Sequence, residues 1–131
     1  MVIVDRYFQD HNHVGMHALY NHAGELIAYH HQNMLVHPDS MEVLGLILGN
    51  CVFDQKAKVL GKLFQQKVYN LSGEVMASKS DTSVSVPPSL NNEQCVMDAW
   101  KILVLVKDHL CPWVTPTERW SDASLAEFLY V

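Results

Sequence analysis

Apolar and polar residues alternate through the first two-thirds of this chain, and short polar clusters interrupt the alternation at regular intervals. Alternation over four to eight residues bounded by turn formers predicts β-strands. The stretch "KVYNLSGEVMA", residues 67–77, reads as a hairpin: two such runs flank an Asn-x-x-Gly turn, with Gly73 at the position that asks for positive φ. The same sentence recurs. "ALYNHAGELIAYHHQN" starts at Ala18, "LVHPDSMEVLGLILGN" at Leu35, "CVFDQKAKVLGKLFQQ" at Cys51 and "KVYNLSGEVMASKSD" at Lys67. The last three units start sixteen residues apart, and the first is offset by one inserted residue, Met34.

Aligned this way, the units share columns. Leu19, Val36, Val52 and Val68 form one, followed by an aromatic column, Tyr20, His37, Phe53 and Tyr69, in which His37 is a packing substitute. Asn21, Pro38, Asp54 and Asn70 open the turns, and Gly24 and Gly73 are the structural glycines that close two of them. Met41 and Ala57 stand at the closing position of the other two, which must use another turn or accept strain of roughly a kcal/mol. Glu25, Glu42, Lys58 and Glu74 are read as solvated hairpin tips. After two apolar columns comes one of small residues, Ala28, Gly45, Gly61 and Ala77, which predicts close approach of another strand to the backbone.

Lone hairpins are marginal in water, so four must pair into one body, most simply a closed, pseudo-four-fold β assembly without a long exposed edge. Residues 82–86 alternate and can extend the last strand until Pro87-Pro88 ends it. A helix then starts with Asn91 as N-cap, carries Val96, Trp100, Leu103, Val106 and Leu110 on one side, and stops at Cys111 before Pro112. A short final helix, capped by Ser121 or Asp122, carries Leu125, Phe128 and Leu129. The expectation is one α+β domain over 1–131: an N-terminal segment (1–17), four hairpin repeats (18–81), a linker (82–90), and a part with two helices (91–131) that covers a face or end of the β assembly.

The four motifs "LYNHAGELIA", "VHPDSMEVLG", "VFDQKAKVLG" and "VYNLSGEVMA" resemble the four-fold β-flower proteins, small bacterial proteins built of repeated hairpins. "VFDQKAKVLG" is also similar, more weakly, to the pattern of PRC-barrel-like domains. The first resemblance implies a hairpin-repeat fold and no assigned activity.

Composition narrows the function classes. A net charge of −5 without a basic patch speaks against nucleic acid as a partner. The longest apolar stretch, residues 43–53, is too short and too interrupted to span a membrane. Cys51, Cys95 and Cys111 are odd in number and lack metal-site spacing, which predicts reduced thiols in a cytoplasmic protein. Cys95, in the first turn of the long helix, is read as a small core residue, and no catalytic residue is assigned.

Histidine is the anomaly: of eight, seven lie between His11 and His37. His11, His13 and His17 form a candidate site for a divalent transition metal such as zinc, because residues two apart on a strand share a face. The bland reading, surface or half-buried imidazoles, is the favoured one, and no cofactor is expected. Trp113 and Trp120 bracket a Pro-containing loop and are the candidate interface for a protein partner or a second copy, making the molecule an interaction module. The alternative is a small metal-binding protein or metal-dependent enzyme.

Overall fold

The computed structural model describes residues 15–106 and 111–130. Eight antiparallel strands form a closed barrel: β1 (Gly15–Tyr20), β2 (Leu26–His31), β3 (Met34–Val36), β4 (Val43–Leu48), β5 (Cys51–Asp54), β6 (Val59–Phe64), β7 (Lys67–Asn70) and β8 (Val75–Ser85). Each pairs with its sequence neighbours, and β8 returns to β1. Two helices follow, α1 (Asn92–Leu103) and α2 (Leu125–Leu129). The architecture is mostly β with two short helices, which replaces the α+β expectation. Both outer boundaries of the repeat region move: β1 starts inside the N-terminal segment, and β8 runs through Ser85 into the stretch read as a linker.

The columns acquire a geometric reason. In the first hairpin Leu19 opposes Ala28 and Tyr20 opposes Leu26, so Ile27 is an extra residue, a β-bulge. Leu44, Leu60 and Met76 are the corresponding extra residues of the other three hairpins. The bulge explains why two apolar columns stand side by side and alternation fails there. All four bulge residues lie in one buried cluster with Leu19, Leu35, Val52 and Val68, one pair from each hairpin, and this cluster fills the barrel. The small column is where the neighbouring hairpin comes close: a Cβ on Gly45 would run into the Phe53 carbonyl, and one on Gly61 into the Tyr69 carbonyl.

The turns correct the alignment of the second unit. Asn21, Asp54 and Asn70 each accept the turn-closing N–H three residues on, and their side-chain oxygens accept the N–H of Glu25, Lys58 and Glu74 at 2.9 Å. The second hairpin does this with His37, not Pro38: its carbonyl accepts from Met41 N–H, and its Nδ1 takes the N–H groups of Asp39 (3.0 Å) and Ser40 (3.2 Å). The extra residue therefore lies inside this turn rather than at Met34, and His37 imitates an Asn carbonyl while its ring also packs against Tyr130, ring centroids 5.4 Å apart. Met41 and Ala57 adopt positive φ of 60° and 64° and accept the strain. Between hairpins, two-residue turns at 32–33, 49–50 and 65–66 complete the sixteen-residue period, with positive φ at Gln32, Gly49, Gln65 and Gln66.

Outside the barrel, Cys95, Ala99 and Ile102 of α1 cover Met34, Val36, Leu46 and Phe53 on the outer face of β3–β5. Asn91 caps α1 as expected, accepting Gln94 N–H. The helix stops at Leu103, well before Cys111, because the bonds of Leu105 and Val106 shift to carbonyls three residues back and close the last turn. Ser124, not Ser121 or Asp122, caps α2, in a reciprocal box with Glu127. Leu125 and Leu129 of this helix enter the interior cluster and plug the end of the barrel where the hairpin turns gather; Tyr130 Oη donates to the Ile27 carbonyl there. Phe128 stays partly exposed, at 38%, instead of joining the core.

The thiols are not all free. Cys51 on β5 and Cys111 form a disulfide with Cα atoms 5.7 Å apart, while Cys95 stays free and buried. Thiol content therefore no longer speaks for a reducing compartment. Among the described residues, no helix is long and apolar enough to cross a membrane.

Candidate functional site

Residues 113–121 run along the start of β8. Thr117 N–H donates to Gly73 O (2.9 Å), Val75 N–H to Arg119 O (2.8 Å) and Ser121 N–H to Val75 O (2.8 Å), so the segment is hydrogen-bonded much like an added strand. Gly73 is doubly required: it holds φ of 85°, and a Cβ there would strike the Thr115 carbonyl. This docking separates the two tryptophans. Trp120 packs on Tyr69, Val75 and Val114 and stacks on His22. Trp113 remains 83% exposed, the most open large apolar side chain among the described residues. It borders a pocket of about 150 Å³ walled by Phe64, Tyr69, Val114 and Pro116. Lys62 Nζ sits 5.4 Å from the centroid of its indole ring, a cation–π contact.

A second grouping lies at the barrel end opposite α2. Two residues beyond the small column, each hairpin places one more side chain on the inner face: His30, Ile47, Leu63 and Lys79. His30 pairs across the ladder with His17, and Lys79 with Leu19, so the three polar side chains share that face. His17 Nδ1 lies 3.0 Å from the Ser80 carbonyl. Burial holds the His30 imidazole down at about 3, helped by the nearby charges of Lys79, His17 and His31, while the backbone of Gln32 pulls the other way. Burial also lowers the Lys79 amine.

A family model described as 4-fold beta flower protein matches residues 17–129, most of the chain. The chain belongs to that family. No curated protein and no solved structure matches it.

In this β-flower protein the match runs through the barrel, α1, the docked segment and α2, so the C-terminal part belongs to the family unit rather than to an appendage. Of the histidines proposed for a metal, His11 and His13 lie outside the described residues. His17 stands at the polar end of the barrel, paired across the ladder with His30. Among the described residues no three His, Cys, Asp or Glu side chains are grouped to hold a metal. Cys95 is a core residue whose thiol is pushed up by burial and by Asp98, which makes it a poor nucleophile. His30 and Lys79 are the residues that reading the sequence for motifs passes over. A signal for them existed: they occupy the column that Ile47 and Leu63 fill with apolar side chains.

Proposed function

We propose that this β-flower protein is a non-catalytic binding module that takes an apolar side chain of a protein partner on the face around Trp113. The exposure of Trp113 carries the reading: an indole left in water beside a ready-made apolar wall is costly unless something covers it. The adjacent pocket is smaller than the roughly 300 Å³ at which sites for drug-sized ligands begin, so it suits one side chain and not a cofactor. Lys62, lying over the ring, adds a positive charge to a chain of net charge −5 and favours an acidic group next to the inserted side chain.

The test is a photo-crosslinker, benzoylphenylalanine, placed at position 113 in cells. One discrete heterologous protein, lost when Lys62→Glu is added, supports the reading. Links between copies of this chain would assign the face to self-association, and no link at all would remove the proposal. For an identified partner, Trp113→Ala is expected to weaken binding by about 30-fold, the effect of removing an interface anchor worth ~2 kcal/mol.

A further inference from the structure

We propose that the end of the barrel opposite α2 is a binding site for a short aliphatic carboxylate, held between Lys79 and His30, with its tail against Leu63. The site is independent of the Trp113 face and stands or falls without it.

Three observations carry it. First, polar side chains occupy half of a ring that the same fold elsewhere fills with Ile47 and Leu63, and an inward polar group costs stability unless it is hydrogen-bonded. Second, Lys79 is half-buried and forms no ion pair among the described residues, whose single ion pair joins Lys101 to Asp98 on α1. Third, His30 Nδ1 is buried with no hydrogen-bond partner among the described residues.

Among the described residues, the groups that bear electrostatically on His30 are Lys79 from β8, His17 from β1 and its own neighbour His31 on β2. None is an acid, and Asp81, farther along β8, is exposed. Among the described residues, the end of the barrel thus holds a cation without an ion pair and an imidazole nitrogen without a hydrogen-bond partner, and no counter-ion for either. A carboxylate matches the pair: one oxygen accepts from the Lys79 ammonium. The other draws a proton from solvent onto His30 Nδ1 and accepts it back as a charge-assisted hydrogen bond. β2 and β8 flank β1, about 10 Å apart, so their side chains converge on a group of this size from both sides. Leu63, half-buried in the same ring, suits a tail of a few carbons.

Because binding takes up a proton, affinity must rise as pH falls. The experiment is an NMR titration of the full chain with sodium butyrate, following the imidazole resonances at pH 8 and pH 6 at fixed ionic strength. Saturable shifts of His30 are expected, with affinity higher at pH 6 than at pH 8, by up to about 100-fold for uptake of one proton. Butyramide, equal in shape but uncharged, is expected not to bind. Lys79→Leu should fold, since Leu63 occupies the equivalent position, and should abolish the response, while Lys101→Leu should keep it. The proposal is overturned by an absence of saturation, by equal shifts with butyramide, or by an unchanged response in Lys79→Leu.

Discussion

The imidazole of His22 lies flat on the indole of Trp120, ring centroids 4.4 Å apart and planes 2° from parallel. The stack joins the tip of the first hairpin to the segment that docks on β8, so the barrel and the C-terminal part hold each other in place. His22→Ala is expected to cost about 0.5–1.5 kcal/mol, the usual worth of an aromatic pair. Trp120→Ala also loses its packing on Val75 and Tyr69 and should cost ~2–3 kcal/mol. Urea unfolding of the two single variants and the double one gives the coupling, and additivity would mean the rings do not interact.

Ala57 and Met41 hold the same left-handed conformation, yet glycine should act on them in opposite directions. Ala57→Gly relieves the backbone and is expected to stabilise by up to about 1 kcal/mol. Met41 is 7% exposed and packs in the cluster under α1, so Met41→Gly gains the same relief but loses a buried side chain and should destabilise by ~2 kcal/mol. Thermal denaturation of both variants checks the sign of each.

Gly61→Ala should be among the most damaging single-carbon changes in the barrel. The new Cβ meets the Tyr69 carbonyl, a backbone atom that cannot rotate away, and a loss of about 2–3 kcal/mol is expected. The reciprocal change at the equivalent site, Ala77→Gly, should cost roughly 0.5–1 kcal/mol, from backbone freedom alone. A Gly61→Ala melting temperature at the wild-type value would contradict the packing described for this column.

The Cys51–Cys111 bond closes a loop of sequence separation 60 between β5 and the segment leading to Trp113. Chain-entropy arithmetic gives a stabilisation of about 4 kcal/mol for a loop of that length. Wild type should therefore melt markedly lower in reductant, and a Cys51→Ser, Cys111→Ser double variant should show no such dependence. Equal melting temperatures with and without reductant would mean that the bond contributes nothing.

His30 gives the fold a one-sided response to acid. Its folded value of about 3 lies below the ordinary 6.5, so the unfolded chain binds the proton more readily. The associated stability is present above pH ~6.5 and is lost as pH falls toward ~3, with a slope of at most about 1.4 kcal/mol per pH unit. His30→Leu should flatten the curve in that window. An unchanged slope would show that His30 is already charged in the folded protein.

Much of the barrel was legible because its signals are local. Asn21, Asp54 and Asn70 bond to backbone groups within four residues, so turn chemistry could be read directly from type and spacing. The second turn misled for the same local reason: Pro38 looks like a turn opener, and nothing in the sequence says that the His37 ring nitrogen will take the part of a carboxamide. The α2 cap was available in the Ser124–Glu127 spacing, but Ser121 and Asp122 competed for it.

The chain by itself determined the number of hairpins, the turns opened by Asn21, Asp54 and Asn70, and the column that must stay small, because each follows from backbone conformation and neighbours a few residues away. Only the tertiary structure decided that Cys51 meets Cys111, that Trp120 is stacked while Trp113 is bare, and that His17, His30 and Lys79 share the inner face at one end. Those outcomes depend on barrel closure and on where the C-terminal segment docks. Closure brings β8 against β1, and no periodicity along the sequence encodes which distant side chains it will place together.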